Sequence, residues 1–394
     1  MHRAPVRAQR PRAGRRDDRR RRAGVEREAQ VGRVTRVIGI DPGTLTIDLC
    51  GLEHGRVFLD RSIPTAEALG DPAGFVGLLA GAGPLDCIAG PSGYGLPLTR
   101  AQQATEEDLR LAFLAAEGEP GGIGGLRALA RELGRSTLPV FFTPGVIHLS
   151  SVPAHRKVNR VDMGTADKVC AAALAIDEQS RRSGRSLRDV SLMLLELGGA
   201  FTAALAVAEG QIVDGVGGSA GPLGFRASGA LDGEVAFLAG SVPKSLLFGG
   251  GAAAVAGWDG GSGSADALGN PRTPRERVAL EAFVESAVKA VRFLRASVPA
   301  PREIVLSGRL ARVEGVRRAI TQRLEGISPV RLLEGFAAQA KQGAQGAALI
   351  ADGLSGGRHR ELVAALGIRE AQGTVLDHLY VISREQARRR LGLE

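Results

Sequence analysis

The chain has 394 residues, 44% of them hydrophobic, and a formal net charge of +9. That is enough apolar material for more than one core, so two domains are expected. Eight of the nine net charges fall in residues 1–33, where twelve arginines stand against Asp17, Asp18, Glu26 and Glu28, so the nearly neutral remainder gives no argument for specific nucleic-acid binding. Cys50, Cys87 and Cys170 are too few and too scattered for a disulfide framework, which fits a reducing cytoplasm. No run of eighteen apolar residues is present, which argues against a membrane partner.

In chain order, residues 1–33 read as a disordered Arg-rich tail or a wrongly assigned start, since they hold no aromatics and no apolar stretch. Strands at 35–40, 46–52 and 56–59 form a meander. A helix at 72–79, a strand at 86–89, helices at 106–116 and 125–133 and a strand at 139–142 follow. The basic loop His155-Arg156-Lys157-Val158-Asn159-Arg160 leads to an alanine-rich helix that begins near Gly164 and runs to about Ile176. Arg156 and Lys157 read as a solvated turn, whereas Asp167 and Lys168, at the helix start, are site candidates. His148 and His155 lack the i, i+4 spacing of a ligand pair and are not taken as ligands. The polar stretch 179–188 separates the halves, which gives domains at 34–188 and 189–353.

The second half opens with another meander from Val190, then a glycine-rich segment at 215–234 and a loop at 249–269 too rich in Gly, Ser and Ala to be core. A helix at 275–296, a strand at 303–306, a helix at 312–324, a strand at 330–333 and an Ala/Gly helix at 337–351 complete it. Residues 354–394 read as a small C-terminal extension.

The two meanders repeat without a gap: Asp41 falls on Glu196, Gly43 on Gly198 and Gly55 on Gly210, an offset of 155 in every pair. In each copy the first turn sets glycines beside a carboxylate, as in Asp41-Pro42-Gly43-Thr44 and Glu196-Leu197-Gly198-Gly199, with the second hydroxyl further on at Thr202. Glycine turns let backbone N–H groups point at an anion, and a neighbouring carboxylate can hold Mg²⁺ through water. A third glycine turn, Ser307-Gly308-Arg309, closes a late buried strand, where a base and ribose could lie against bare backbone.

On these residues the chain resembles the actin, hexokinase, heat-shock chaperone and acetate kinase superfamily. That implies an α/β fold of duplicated actin-like ATPase (ribonuclease H-like) domains with an ATP cleft between them. Asp41 to Thr44 and Glu196 to Thr202 resemble its two phosphate loops, and residues 306–309 its adenosine loop. More narrowly, Lys157-Val-Asn-Arg160-Val-Asp-Met-Gly164-Thr165-Ala-Asp167-Lys168 resembles an archaeal-type family described as predicted butyrate kinases. Butyrate kinases carry a histidine where Glu196 stands, and their Gly-Pro-Phe…Arg-Ser-Gly segment corresponds to Gly221-Pro222-Leu223…Arg226-Ala227-Ser228-Gly229, with one residue more before Ser-Gly.

The resemblance implies an ATP- and Mg²⁺-dependent phosphotransferase acting on a small carboxylate or acyl phosphate. Asp41 and Glu196 would organise Mg²⁺. Gly43, Thr44, Gly198, Gly199 and Thr202 would hold phosphates, and Ser307, Gly308 and Arg309 the adenosine. Arg226, Lys168, Asp167 and Asp214 would serve catalysis. A homodimer is open on this reading. The competing reading is a nucleotide-switched binding protein whose slow ATPase changes domain angle for a protein partner.

Overall fold

The computed structural model describes Met1 and residues 33–91, 93–114, 122–258 and 264–393. The segment read as a disordered tail lies outside the described residues except for its two ends, Met1 and Arg33. Strands β1 (Arg36–Pro42), β2 (Thr46–Glu53), β3 (Arg56–Pro64), β4 (Cys87–Pro91), β5 (Thr99–Arg100) and β6 (Val140–Thr143) form one sheet in the order β3-β2-β1-β4-β6-β5. Strands β7 (Leu192–Leu197), β8 (Thr202–Ala208), β9 (Gln211–Val216), β10 (Glu303–Ser307) and β11 (Val330–Leu332) form a second, ordered β9-β8-β7-β10-β11. The second order reproduces β3-β2-β1-β4-β6 strand for strand, with an antiparallel meander and then parallel neighbours in both.

The duplication extends to details that no hairpin requires. The amide of Gly43 donates to the Thr46 carbonyl at 2.9 Å, and that of Gly198 to Phe201 at 2.9 Å. A register shift falls at Gly51/Leu52 in one sheet and at Ala206/Val207 in the other. His54 and Gly55 have φ of 53° and 72°, while Glu209 and Gly210 have 53° and 73°. Each pair keeps the sequence offset, so the two meanders are copies in backbone geometry as well as in pattern.

The main helices are α1 (Pro72–Ala80), α2 (Glu106–Phe113), α3 (Gly122–Arg135), α4 (Ala166–Ser183), α5 (Gly233–Ala239), α6 (Pro274–Leu294), α7 (Glu314–Leu324) and α8 (Gln342–Leu354). Side chains alternate across a strand, so each sheet presents two apolar faces. Ile38, Ile40, Ile47 and Leu49 face outward onto Phe75 of α1, Leu109 of α2 and Leu129 of α3. Val37, Cys50, Leu52 and Ala89 face inward onto α4 and α8, and from the other sheet Leu192, Leu194, Val207 and Val305 meet the same two helices. Met193, Leu195, Ala206 and Leu306 pack outward on α6 and α7. Helices α4 and α8 are thus one central layer, shared by both sheets.

Small residues make that layer thin. A Cβ on Gly346 of α8 would run into the carbonyl oxygen of Cys170 in α4, and one on Gly39 of β1 into the α8 backbone at Ala344 and Ala348. Gly346→Ala is therefore expected to destabilise the fold by about 1–3 kcal/mol, as overpacking does. Thermal melting would read this as a drop of roughly 2–4 °C per kcal/mol. An unchanged melting temperature would mean that the two helices do not cross at this point.

The structure moves the start of α8 five residues from its expected place, to Gln342. The cause is the capture of the preceding amides: Asp60 accepts from Ala338 at 2.8 Å and Ala340 at 2.7 Å, and Asp48 from Lys341 at 2.9 Å. These carboxylates hold the segment in a non-helical, bent path against β2 and β3 until the helix can begin.

Two other expectations are corrected. Within the loop 249–269, Ala252, Ala253 and Leu268 are buried in the outer core beside α6, because alanine fits a close approach that larger side chains would block. The small C-terminal extension packs on the body: Leu362, Val363, Leu366, Ile368 and Leu376 join the central core, and Arg388 pairs with Glu107 of α2. Among the described residues no helix is long and apolar enough to cross a membrane.

Candidate active site

Strand parity aims the duplicated carboxylates. Asp41 shares the inward face of β1 with Val37 and Gly39, and Glu196 shares the inward face of β7 with Leu192 and Leu194, so both point at the central helices. Helix α4 meets them with its first turn. The Lys168 ammonium lies 3.0 Å from Glu196 Oε1 and also pairs with Asp167, which accepts a hydrogen bond from the Thr165 hydroxyl. From the other side, α8 brings Gly343 so near that a Cβ there would sit 2.6 Å from Asp41 Oδ2.

The site carries more negative charge than it balances. Burial, then the Asp167 carboxylate, pushes the Asp41 carboxyl up to about 7. Burial likewise raises Glu196 above the ordinary carboxylate range. Asp167 is held low: burial opposes this, but the charge and hydrogen bond of Lys168 win. Lys168 is in turn held well above the usual lysine value by Asp167 and Glu196, against the effect of burial. Three carboxylates share the Lys168 ammonium, with the Lys341 ammonium as a second nearby positive charge, which leaves a net negative charge that suits a divalent cation.

Among the described residues no three carboxylate, histidine or cysteine groups converge as a direct metal cage. Mg²⁺ does not need one, since it keeps waters and takes one or two carboxylates together with substrate phosphates. The chemistry of the donor set therefore fits a hydrated Mg²⁺ between Asp41 and Glu196.

The glycine turns frame this cluster. Thr44 is exposed at the tip of the first turn, and a Cβ on Gly199 at the second would meet nothing within 4 Å. Ser307 is paired in register with Glu196 and lies beside it on β10. Gly308 has φ of 86°, and a Cβ there would lie 2.5 Å from the Leu197 carbonyl oxygen, so only glycine lets this turn close over β7. Arg309 is exposed just beyond it.

Arg226 is tied to the second turn through its main chain, its amide donating to Ala200 at 3.1 Å and its carbonyl accepting from Gly251 at 2.8 Å. Its Nε is buried and has no hydrogen-bond partner among the described residues.

Two expected site residues are not brought to the cleft. Thr202 pairs with Leu197 and, by the ungapped offset, matches Ile47, so its side chain faces the outer core. Asp214, paired with Ala206, also takes the outer face; it accepts from the Gly215 amide at 2.8 Å and the Ser297 hydroxyl, and Arg156 stands 3.8 Å away. Strand parity, not distance along the chain, removes both. Arg156 and Lys157 do not form a solvated turn: Arg156 donates to the Val213 carbonyl at 2.7 Å, and Lys157 is buried with its Nζ 2.9 Å from the Leu149 carbonyl oxygen.

Two residues were missed. Lys341 reaches over the first turn, its Nζ 2.6 Å from Thr46 Oγ1 and 3.4 Å from Asp48 Oδ2. Placing the helix start at residue 337 hid it, because it then counted as a mid-helix lysine. Asp162 is buried and accepts from Gly164 N at 3.2 Å, Ser219 N at 2.9 Å and Ser219 Oγ at 2.8 Å. Its signal lay in the Val-Asp-Met-Gly stretch before α4.

A family model described as "Protein of unknown function (DUF1464)" matches residues 39–381. The chain belongs to this family. No curated protein matches in sequence. Among solved structures, the acetate kinase of Entamoeba histolytica superposes at TM-score 0.54 with 11% identity, covering 74% of this chain and 87% of that one. The acetate kinase of Porphyromonas gingivalis gives 0.54 with 14% identity, covering 74% and 88%. A propionate kinase from Francisella tularensis subsp. tularensis gives 0.54 with 12% identity, covering 79% and 98%. At these identities the likeness is one of fold: this DUF1464 member has the two-sheet, actin-like ATPase architecture.

Proposed function

We propose that this protein is an ATP- and Mg²⁺-dependent phosphotransferase acting on a small carboxylate or its acyl phosphate, in the manner of butyrate and acetate kinases. The observation that carries this reading is the meeting of Asp41 and Glu196, from two copies of one turn, around Lys168 and Asp167. Fold likeness to structures described as acetate and propionate kinases supports the substrate class.

When bound, ATP supplies the transferable phosphoryl group and Mg²⁺ neutralises its oxygens. Asp41 and Glu196 would hold the hydrated cation, the turns at Gly43–Thr44 and Gly198–Gly199 the phosphates, and the bare backbone at Gly308 the adenosine. Asp167 fixes Lys168 in the first turn of α4, so that an ammonium stands ready for negative charge that moves during transfer. Lys341 covers the first turn with a second cation. The carboxylate acceptor forms a new O–P bond as the bond to the departing nucleoside diphosphate breaks.

Arg226 supplies the test. A buried guanidinium nitrogen without a partner costs about 1–3 kcal/mol, a penalty that an arriving anion would remove. Arg226→Lys and Arg226→Ala are both expected to slow phosphoryl transfer by about 10² or more, because a lysine cannot reproduce the two-pronged geometry. Trapping acyl phosphate with hydroxylamine, using acetate, propionate and butyrate as acceptors, would measure this. A wild-type protein inert towards all three, or an active one indifferent to both substitutions, would contradict the respective claim.

A further inference from the structure

The loop that enters α4 and the segment that leaves β9 are fastened to each other at Asp162. Its side chain is buried, and the carboxylate accepts from the Gly164 amide at 3.2 Å on one side and from the Ser219 amide and hydroxyl at 2.9 and 2.8 Å on the other. Its main-chain carbonyl accepts from the Gly217 amide at 3.1 Å. Glycines make this approach possible: a Cβ on Gly217 would overlap the Asp162 carboxylate, and one on Gly215 would overlap the Met163 carbonyl oxygen. One side chain thus holds two stretches that lie 57 positions apart. Withdrawing either would leave a buried carboxylate oxygen short of donors.

From Ser219 the chain runs directly into the loop that carries Arg226. This loop closes on itself, the Ala230 amide donating to the Gly221 carbonyl at 2.9 Å. Its middle is held to α6, where the Ser286 hydroxyl accepts from the Leu223 amide at 3.1 Å. Its far side is held to the second glycine turn: the amides of Arg226 and Ala227 both donate to the Ala200 carbonyl at 3.1 Å, and a Cβ on Gly224 would run into the same oxygen. Asp162 supplies the fastening towards α4, whose first turn carries Lys168. Arg226 therefore stands on a loop whose place relative to Glu196 is set by Ala200 and relative to Lys168 by Asp162.

We propose that Asp162 is a positioning residue for phosphoryl transfer: it sets the loop 217–229, and with it the Arg226 guanidinium, in register with the Lys168 ammonium. This rests on the phosphotransferase reading and adds to it the means by which the two cations are aligned. Asp162 touches no reacting atom. Its effect is geometric, and a shift of about 1 Å in a group that must meet moving negative charge costs up to about 10²-fold in rate.

The test uses the full chain in the hydroxylamine assay. Asp162→Asn keeps the volume but sets an amide against the donors of Ser219, and kcat should fall about tenfold to 10²-fold while the KM for ATP stays within about twofold. Added to Arg226→Ala, the same substitution should slow transfer by no more than about twofold further, because residues that act as a unit are non-additive in the step they share. The melting temperature it costs should be the same in both chains, which separates positioning from general support of the fold. If Asp162→Asn does not fold, Ser219→Ala, which keeps the carboxylate and removes one of its donors, carries the same comparison. Hydrogen exchange supplies a readout independent of turnover: in Asp162→Asn the amides of Ser219 and Arg226 should exchange faster, and those of β7 and β8 should not. No slowing, equal slowing with and without Arg226, or unchanged exchange at Arg226 overturns the inference and leaves the phosphotransferase reading intact. A wild type without turnover that still shows the exchange effect overturns that reading and leaves Asp162 as the fastening of the Arg226 loop, and absence of both overturns both.

Discussion

Asp41→Asn should make the ligand-free protein more stable and its complex with Mg-ATP weaker. The sign follows from the raised carboxyl, which titrates near 7 in the folded chain against 3.8 as a free side chain. The folded state binds the proton more tightly, so stability contributed by this group is fully present below about pH 4 and is lost as pH rises through about 7. Asparagine removes that penalty at pH 8 and leaves the neighbouring backbone undisturbed. The melting temperature should rise by roughly 2–4 °C for each kcal/mol recovered. The same change takes away one holder of the hydrated cation, a loss that for water-mediated partners of a metal runs to about 10–100-fold in affinity. Melting curves of both proteins at pH 5 and pH 8, with and without Mg-ATP, check the pair of effects. A variant that melts lower at pH 8, or that keeps full protection by Mg-ATP, would show that Asp41 is scaffolding.

Lys168→Met should have the larger effect on folding. Its ammonium is the charge shared by Asp167 and Glu196, and the three side chains are 14%, 24% and 16% exposed. Removing one partner of a largely buried ion cluster leaves the others uncompensated, at about 3–5 kcal/mol. Denaturant melts at pH 8 should show that loss, and Asp167→Asn added to the same chain should restore part of it. Since the missing charge is positive, Mg²⁺ should stabilise Lys168→Met more than the wild type. Full stability in Lys168→Met would mean that the carboxylates are already neutral and that the site lacks the charge deficit assigned to it.

The duplicated turns were legible because a carboxylate followed by glycines at one fixed offset is a local pattern, and local turn chemistry decides a hairpin. What failed was parity. Thr202 was grouped with the phosphate turn as a hydroxyl a few residues on, yet the same offset that pairs Asp41 with Glu196 pairs Ile47 with Thr202, an outward-facing position. Asp214 fell to the same rule.

Lys341 was hidden for a different reason: helix-forming Ala and Gln precede it, and Asp60 and Asp48, nearly three hundred residues earlier in the chain, capture the amides of that stretch and keep it out of the helix. Long-range capture of backbone amides leaves no trace in a local window. The C-terminal segment read only as a small extension, yet Leu362, Leu366 and Leu376 fill the central core.

On the proposed function, the cleft between the two sheets would bind a nucleotide through a cation held by Asp41 and Glu196. Calorimetric titration of the wild-type protein with a non-hydrolysable ATP analogue, with Mg²⁺ and again with excess chelator, tests it most directly. Saturable one-to-one binding that weakens about tenfold or more without Mg²⁺ is the expected result; no saturable heat under either condition, or equal affinity in both, would contradict it.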